Sequence, residues 1–203
     1  RSAFVQYRER QFANGGVLPA RELATTFSFL RPNDLVWNYV TGNYLKGEEP
    51  RPFDLLYWNG DSTNLPGPYY AWYLRNLYLE NRMAEPGQCL VAGERINLGA
   101  VSTPAFFYGS QEDHIVPIAG AYKSMQQWGG PKQFVMGASG HIAGVINPPA
   151  KNKRCHWTAS EADLGAPLDA WQAQATQAQG SWWPVWHEWL ASRSGKQIGR
   201  AHV

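Results

Sequence analysis

Two short apolar runs, each closed by a glycine, set the hydrophobic pattern of the chain. Residues 104–108 read PAFFY and end at Gly109; residues 132–136 read KQFVM and end at Gly137. Between them, residues 118–128 can form a helix. Strand-length runs separated by one helix predict a βαβ unit with two buried parallel strands. Behind each run comes a polar loop with a group capable of acid–base chemistry. Asp113, followed by His114, lies after the first run, and His141 lies after the second. In parallel sheets, functional groups collect just beyond the carboxyl ends of the strands. Asp113 and His141 are therefore expected side by side at one rim. Taken singly, a loop Asp is more often a turn former, and a His after Gly more often a cap or core residue. The expectation rests on the pair.

Elsewhere the pattern is mainly helical. Residues 1–16 are charged and end in Asn14-Gly15-Gly16, a flexible break. Pro19 suits a first helical turn, and Leu23, Phe27 and Leu30 repeat at helical spacing until Pro32. Asn33 or Asp34 can cap a second helix that Gly47 closes. A dense apolar run, FDLLYW at 53–58, leads into a turn-rich passage. Residues 69–83 return to helix with an aromatic stripe of Tyr70, Tyr73, Leu74, Leu77 and Tyr78, most simply a core face. Residues 89–92 and 95–98 flank Gly93-Glu94 as a short hairpin. Residues 159–179, rich in Ala and Gln, read as a surface helix. Trp182, Trp186 and Trp189 recur at helical spacing, with Pro184 near the start, and predict a helix docked on the sheet. A membrane-surface helix is disfavoured, because no basic face opposes the tryptophans.

Composition narrows the classes. The 203 residues carry 18 Lys and Arg against 16 Asp and Glu, a net charge of +2, which implies no strong nucleic-acid partner. Two cysteines without zinc spacing give neither a disulfide framework nor a metal site. Cys155 and His156 are adjacent, so their side chains are expected to point apart rather than form a dyad. No apolar run is long enough to cross a membrane and no signal-peptide pattern is present, which fits a cytoplasmic protein. Ten Trp and ten Tyr hint at large apolar contact surfaces.

An Asp followed one strand later by a His is also the second half of an α/β-hydrolase triad in chain order. The wording of the loops agrees. YGSQEDHIVP and GASGHIAGVINPPAKNKRCHWT closely resemble the C-terminal catalytic region of class I polyhydroxyalkanoate synthases. So do FSFLRPNDLVWNYV and FDLLYWNGDSTNLPGPYYAWYLRNLYLENRM upstream, and GSWWPVWHEWL near the end. The resemblance implies an α/β fold: a partial α/β-hydrolase core at 96–197, preceded by a mainly helical lid or cap at 1–95. The last six residues, 198–203, look like translated adapter read-through and are set apart from the fold.

The resemblance also implies a chemistry. Asp113 and His141 would be two members of a Cys-His-Asp triad acting on 3-hydroxyacyl-CoA, with coenzyme A released and a polyester extended. The family's Cys sits in a G-x-C-x-G elbow. No such elbow, nor G-x-S-x-G, occurs in this chain; Cys89 lies in PGQCLVAG and Cys155 in KRCHW. The chain is therefore expected to be a fragment of a longer enzyme, cut after the nucleophile and inactive alone. Phe53, Trp58 and Tyr73 are candidates for the lid wall along the acyl channel. His114 is a candidate for support beside the substrate. Lys151, Lys153 and Arg154 form a basic cluster, and Lys151 and Arg154 are candidates to meet the phosphates of coenzyme A. No cofactor is implied. The implied partners are the acyl-CoA substrate, the polyester product and its granule surface, and a second subunit in a full-length homodimer. Two other readings stay open: a thioesterase or depolymerase of the same fold, and an inert lid or dimerisation module.

Overall fold

The computed structural model describes residues 1–30, 32–50, 61–196 and 199. The chain divides into two compact units, Arg1–Arg82 and Met83–Val203. Phe53 and Trp58 lie outside the described residues.

The first unit is mainly helical. α1 (Ser2–Gln11) forms from a segment whose charges masked its apolar positions: Val5 is buried within it, and Phe12 directly after it. β1 (Val17–Leu18) leads into α2 (Ala20–Leu30). Two π-helical stretches come next, Asn33–Trp37 and Val40–Leu45, and Gly47 follows at φ +69°. β2 (Leu65–Pro66) pairs antiparallel with β1, Val17 opposite Pro66. α3 (Gly67–Tyr73) runs on into a π-helical stretch, Leu74–Leu79. The core of the unit is Phe12, Leu18 and Tyr70, with the Phe12 and Tyr70 rings edge-to-face at 6.3 Å. Gly67 is needed there, because a Cβ would lie 2.1 Å from Phe12 Cδ1. The tyrosine stripe is only partly a core face: Tyr70 is buried, Tyr73 half-buried, and Tyr78 is exposed.

The second unit holds the sheet. β3 (Leu90–Val91) and β4 (Glu94–Arg95) form the expected hairpin, turning at Ala92-Gly93, both at positive φ. β5 (Ala105–Ser110) and β6 (Lys132–Gly137) are parallel and joined by α4 (Ile118–Gln126). The sheet continues antiparallel through β7 (Cys155–Thr158) and β8 (Thr176–Gln179), in the order β5-β6-β7-β8. Side chains of β5 alternate between two layers, as period two requires. Phe107 faces the main core of Tyr122, Met125, Phe134, Met136, Leu164 and Trp171. Phe106 packs on Trp182 and Trp189, and Tyr108 on Trp182, so α6 (Trp183–Ala191) docks on the sheet as expected. Burying side chains such as Phe134 and Met136 completely contributes about 1.5–3 kcal/mol each.

One expectation fails. Residues 159–179 are not a surface helix. They form a 3-10 turn (Glu161–Gly165), α5 (Leu168–Gln174) and β8. Pro167 interrupts any single helix, and Trp171 is pulled fully into the core between Tyr122 and Phe134. The remaining TQAQ segment has no apolar face to bury; it pairs with β7 as an exposed edge, and Gln179 Nε2 donates to Asn152 O at 3.2 Å.

Candidate active site

β5 and β6 end level, Ser110 opposite Gly137, and their parallel pairing extends into the loops beyond. Gln111 N–H donates to Gly137 O at 2.8 Å and Glu112 N–H to Ser139 O at 3.0 Å. Ser139 takes φ +78°, which turns the second loop back towards the first. Two polar loops are thus laced together by main chain before their side chains meet.

The side chains that meet are Asp113 and His141. Asp113 Oδ2 and His141 Nδ1 lie 2.8 Å apart. The other carboxylate oxygen, Oδ1, accepts from the N–H groups of Ile115 at 2.8 Å and Val116 at 2.9 Å, a turn closed by the side chain itself. The Asp113 side chain is 8% exposed. Burial pushes its carboxyl up, but hydrogen bonds from Val116, His141 and Ile115 together outweigh burial and hold it below its ordinary value. An ionised carboxylate only accepts, so Nδ1 carries the proton and donates it. Nε2 of the neutral ring then keeps its lone pair. The His141 side chain is 41% exposed, open to a reacting group.

The surroundings are partly aromatic and partly aliphatic. Tyr108 stacks on Trp182 with centroids 4.4 Å apart, and its hydroxyl lies 3.0 Å from Ser110 Oγ. Burial raises the Tyr108 phenol, so it stays protonated. Gly144 sits so close that an added Cβ would lie 2.5 Å from Ser110 Oγ and 2.8 Å from the Tyr108 oxygen. The indoles of Trp182 and Trp183 donate to Gly144 O and Val145 O, at 3.2 and 3.0 Å. Ile115, Val116, Ile142, Val145 and Ile146 are exposed around the two loops.

The remaining candidates have differing surroundings. His114 is exposed, its ring edge-on to His141 with centroids 6.4 Å apart, nearer than its neighbouring position in the chain suggested. Lys151 ends an exposed 3-10 turn (Pro149–Lys151), and Arg154, at φ +65°, is half-buried. Asn147, in the His141 loop, donates from Nδ2 to Lys153 O at 2.9 Å and so fastens the basic segment to that loop. Tyr73 belongs to the first unit, its ring between those of Tyr69 and Tyr78. Cys89 is fully buried, and Cys155 stands half-buried in β7. His156 points away from it, buried, with its Nδ1 3.2 Å from Gly180 O. Among the described residues, no cluster of His, Cys, Asp or Glu is placed to hold a metal ion. The aromatic and glycine partners of the loops, Tyr108, Gly144, Trp182 and Trp183, were not singled out as site residues from sequence. The Trp182-Trp183 doublet was the available signal, and it read only as a docking helix.

A family model for the alpha/beta hydrolase fold matches residues 5–148. The chain belongs to the alpha/beta hydrolase fold family. In this family, an acidic residue and a His in this chain order are what the geometry here juxtaposes. Closely similar curated proteins are poly(3-hydroxyalkanoate) polymerases by name. The PhaC subunit of Cupriavidus necator is 56% identical over 94% of this chain, and that of Rhizobium meliloti is 42% identical over 96%. The polymerase of Methylorubrum extorquens is 39% identical over 94%. The alpha/beta hydrolase chain described here spans 33%, 31% and 31% of the lengths of those three proteins. No helix among the described residues is long and apolar enough to cross a membrane.

Proposed function

We propose that this chain is the Asp- and His-bearing part of a poly(3-hydroxyalkanoate) polymerase, an acyltransferase that consumes 3-hydroxyacyl-CoA. The observation that carries the reading is the Asp113–His141 contact, with the carboxylate locked by its own loop. A thiol outside these 203 residues attacks the thioester carbonyl, and coenzyme A leaves as a thiolate. His141 Nε2 takes the proton of that thiol and gives it to the departing coenzyme A thiolate; it then takes the proton of the 3-hydroxyl group that attacks the enzyme-held acyl thioester and returns it to the freed enzyme sulfur. Asp113 keeps Nδ1 protonated and stabilises the imidazolium formed at each step. Each transfer breaks one thioester C–S bond and forms one acyl bond, so the polyester grows without a redox step or cofactor.

In this reading residues 1–95 supply a lid or cap, and 96–197 supply the end of the catalytic core. Phe53, Trp58 and Tyr73 contribute to the lid wall, which keeps water from the thioester. His114 supports the substrate beside His141. Lys151 and Arg154 draw in the phosphates of coenzyme A. The full-length protein works as a homodimer in the cytoplasm, at the surface of its own polymer granules. Two experiments with 3-hydroxybutyryl-CoA test this. The 203-residue chain alone should neither release coenzyme A nor become acylated. The full-length enzyme with His141→Ala should remain folded and make no polymer; near-normal polymer yield would remove His141 from the chemistry.

A further inference from the structure

The loop carrying His141 is held by main-chain carbonyls that receive two side-chain donors from another element. Gly144 N–H donates to Gly140 O and Ile146 N–H to Ile142 O, both at 2.9 Å, so the loop is a single helical turn. Of its last carbonyls, Val145 O also accepts from the N–H of Asn147 at 3.1 Å, so the loop itself supplies it with one donor. Gly144 O and Val145 O receive the Trp182 and Trp183 indole N–H groups. Adjacent tryptophans thus engage adjacent carbonyls. Trp182 is itself fixed by stacking on Tyr108 and Phe106 of β5, the strand that ends three residues before Asp113. One indole therefore touches both the strand that delivers the carboxylate and the turn that delivers the imidazole. Packing alone would not require the N–H, since a Phe ring stacks comparably.

We infer that Trp182 and Trp183 are positioning residues: their indole N–H groups set the placement of His141 against Asp113 through Gly144 O and Val145 O, without touching the imidazole. The inference concerns the pair used in the proposed acyl transfer and rests on that reading for its effect on turnover. Its effect on the pair itself is measurable without turnover.

The test uses the full-length enzyme with Trp182→Phe, Trp183→Phe, and both. A parallel set carries benzothienylalanine at the same positions, which keeps the fused ring and replaces N–H by sulfur. Removing one hydrogen bond should lower kcat about 3- to 10-fold, and both about 10- to 100-fold, with KM for 3-hydroxybutyryl-CoA unchanged. In 15N-histidine-labelled enzyme, the Nδ1 proton of His141 should exchange with water faster in each double variant. Trp189 packs on the same Phe106 ring, so Trp189→Phe serves as the packing control and should leave that exchange rate unchanged. Unchanged kcat together with unchanged proton exchange in the double benzothienylalanine variant would overturn the inference, as would equal losses from Trp189→Phe. If the Phe variants do not fold, the benzothienylalanine pair still decides. If His141→Ala keeps full activity, the acyl-transfer reading fails, while the proton exchange still judges the positioning.

Discussion

Replacing Asp113 by Asn separates the architecture of the carboxylate from its charge. Asp113 accepts three hydrogen bonds, from Ile115 N–H, Val116 N–H and His141 Nδ1–H. An Asn can be seated in two ways. With its carbonyl towards Ile115 and Val116, the turn survives and its NH2 group faces Nδ1. Flipped, its carbonyl serves His141, but the NH2 group meets two backbone donors. The flipped seating leaves two backbone donors facing an NH2 group and the first leaves none, so the first seating wins. Nδ1 must then accept, and the ring proton moves to Nε2, the nitrogen that has to take the substrate proton. The base is occupied while the fold is intact. The expected loss is about 10⁴-fold in kcat, about 5.4 kcal/mol at ~1.36 kcal/mol per tenfold. Stopped-flow detection of coenzyme A release from 3-hydroxybutyryl-CoA by the full-length enzyme measures it. Stability at neutral pH should fall by about 1–3 kcal/mol, as charge-assisted bonds become neutral ones. The pH dependence has a fixed sign. The folded-state value of Asp113 lies below its ordinary 3.8, so the carboxylate stabilises the fold above that pH. That stability is lost as pH falls through the lower folded value, and Asp113→Asn should flatten this acid limb. Turnover within tenfold of the parent would refute the tautomer argument.

Other perturbations test neighbouring parts. Gly144→Ala drives a Cβ towards Ser110 Oγ and the Tyr108 hydroxyl and should cost about 1–3 kcal/mol, read as a lower urea midpoint; an unchanged midpoint would show that the loop has slack. Trp171→Ala opens a cavity among Tyr122, Phe134 and Leu164 and should cost about 3–5 kcal/mol by the same measurement, with a loss under 1 kcal/mol contradicting its place in the core. Lys151→Glu with Arg154→Glu should raise KM for acyl-CoA several-fold at low salt and much less at high salt, while kcat holds; a KM insensitive to both charge and salt would separate the cluster from the phosphates.

How far the sequence reached depended on what each segment buries. Residues 104–108, 118–128 and 132–136 were placed almost to the residue, because parallel strands covered on both faces read as continuous apolar runs and glycines mark their ends. The meeting of Asp113 and His141 followed from that one unit. β7 and β8 were invisible for the opposite reason. Cys155–Thr158 lies behind a basic stretch, and Thr176–Gln179 is exposed along its whole length, so neither carries an alternating signal. The β1–β2 pairing joins Val17 to Pro66, a contact no local pattern encodes. α1 was hidden because Arg8, whose guanidinium lies over the Phe4, Tyr7 and Tyr70 rings, and Glu9, bonded to Arg75, are charges put to structural use. The hold of Trp182 and Trp183 on Gly144 and Val145 spans 38 residues and depends on indole N–H geometry, which spacing does not express.

The two oxygens of Asp113 are committed to unlike tasks, one to its own loop and one to the imidazole. That division dictates the length of the side chain. A glutamate would offer the same charge and the same pair of acceptors, but its additional methylene would carry them past the N–H groups two and three positions ahead. The demand for a short acid comes from the loop, and the imidazole would be content with either.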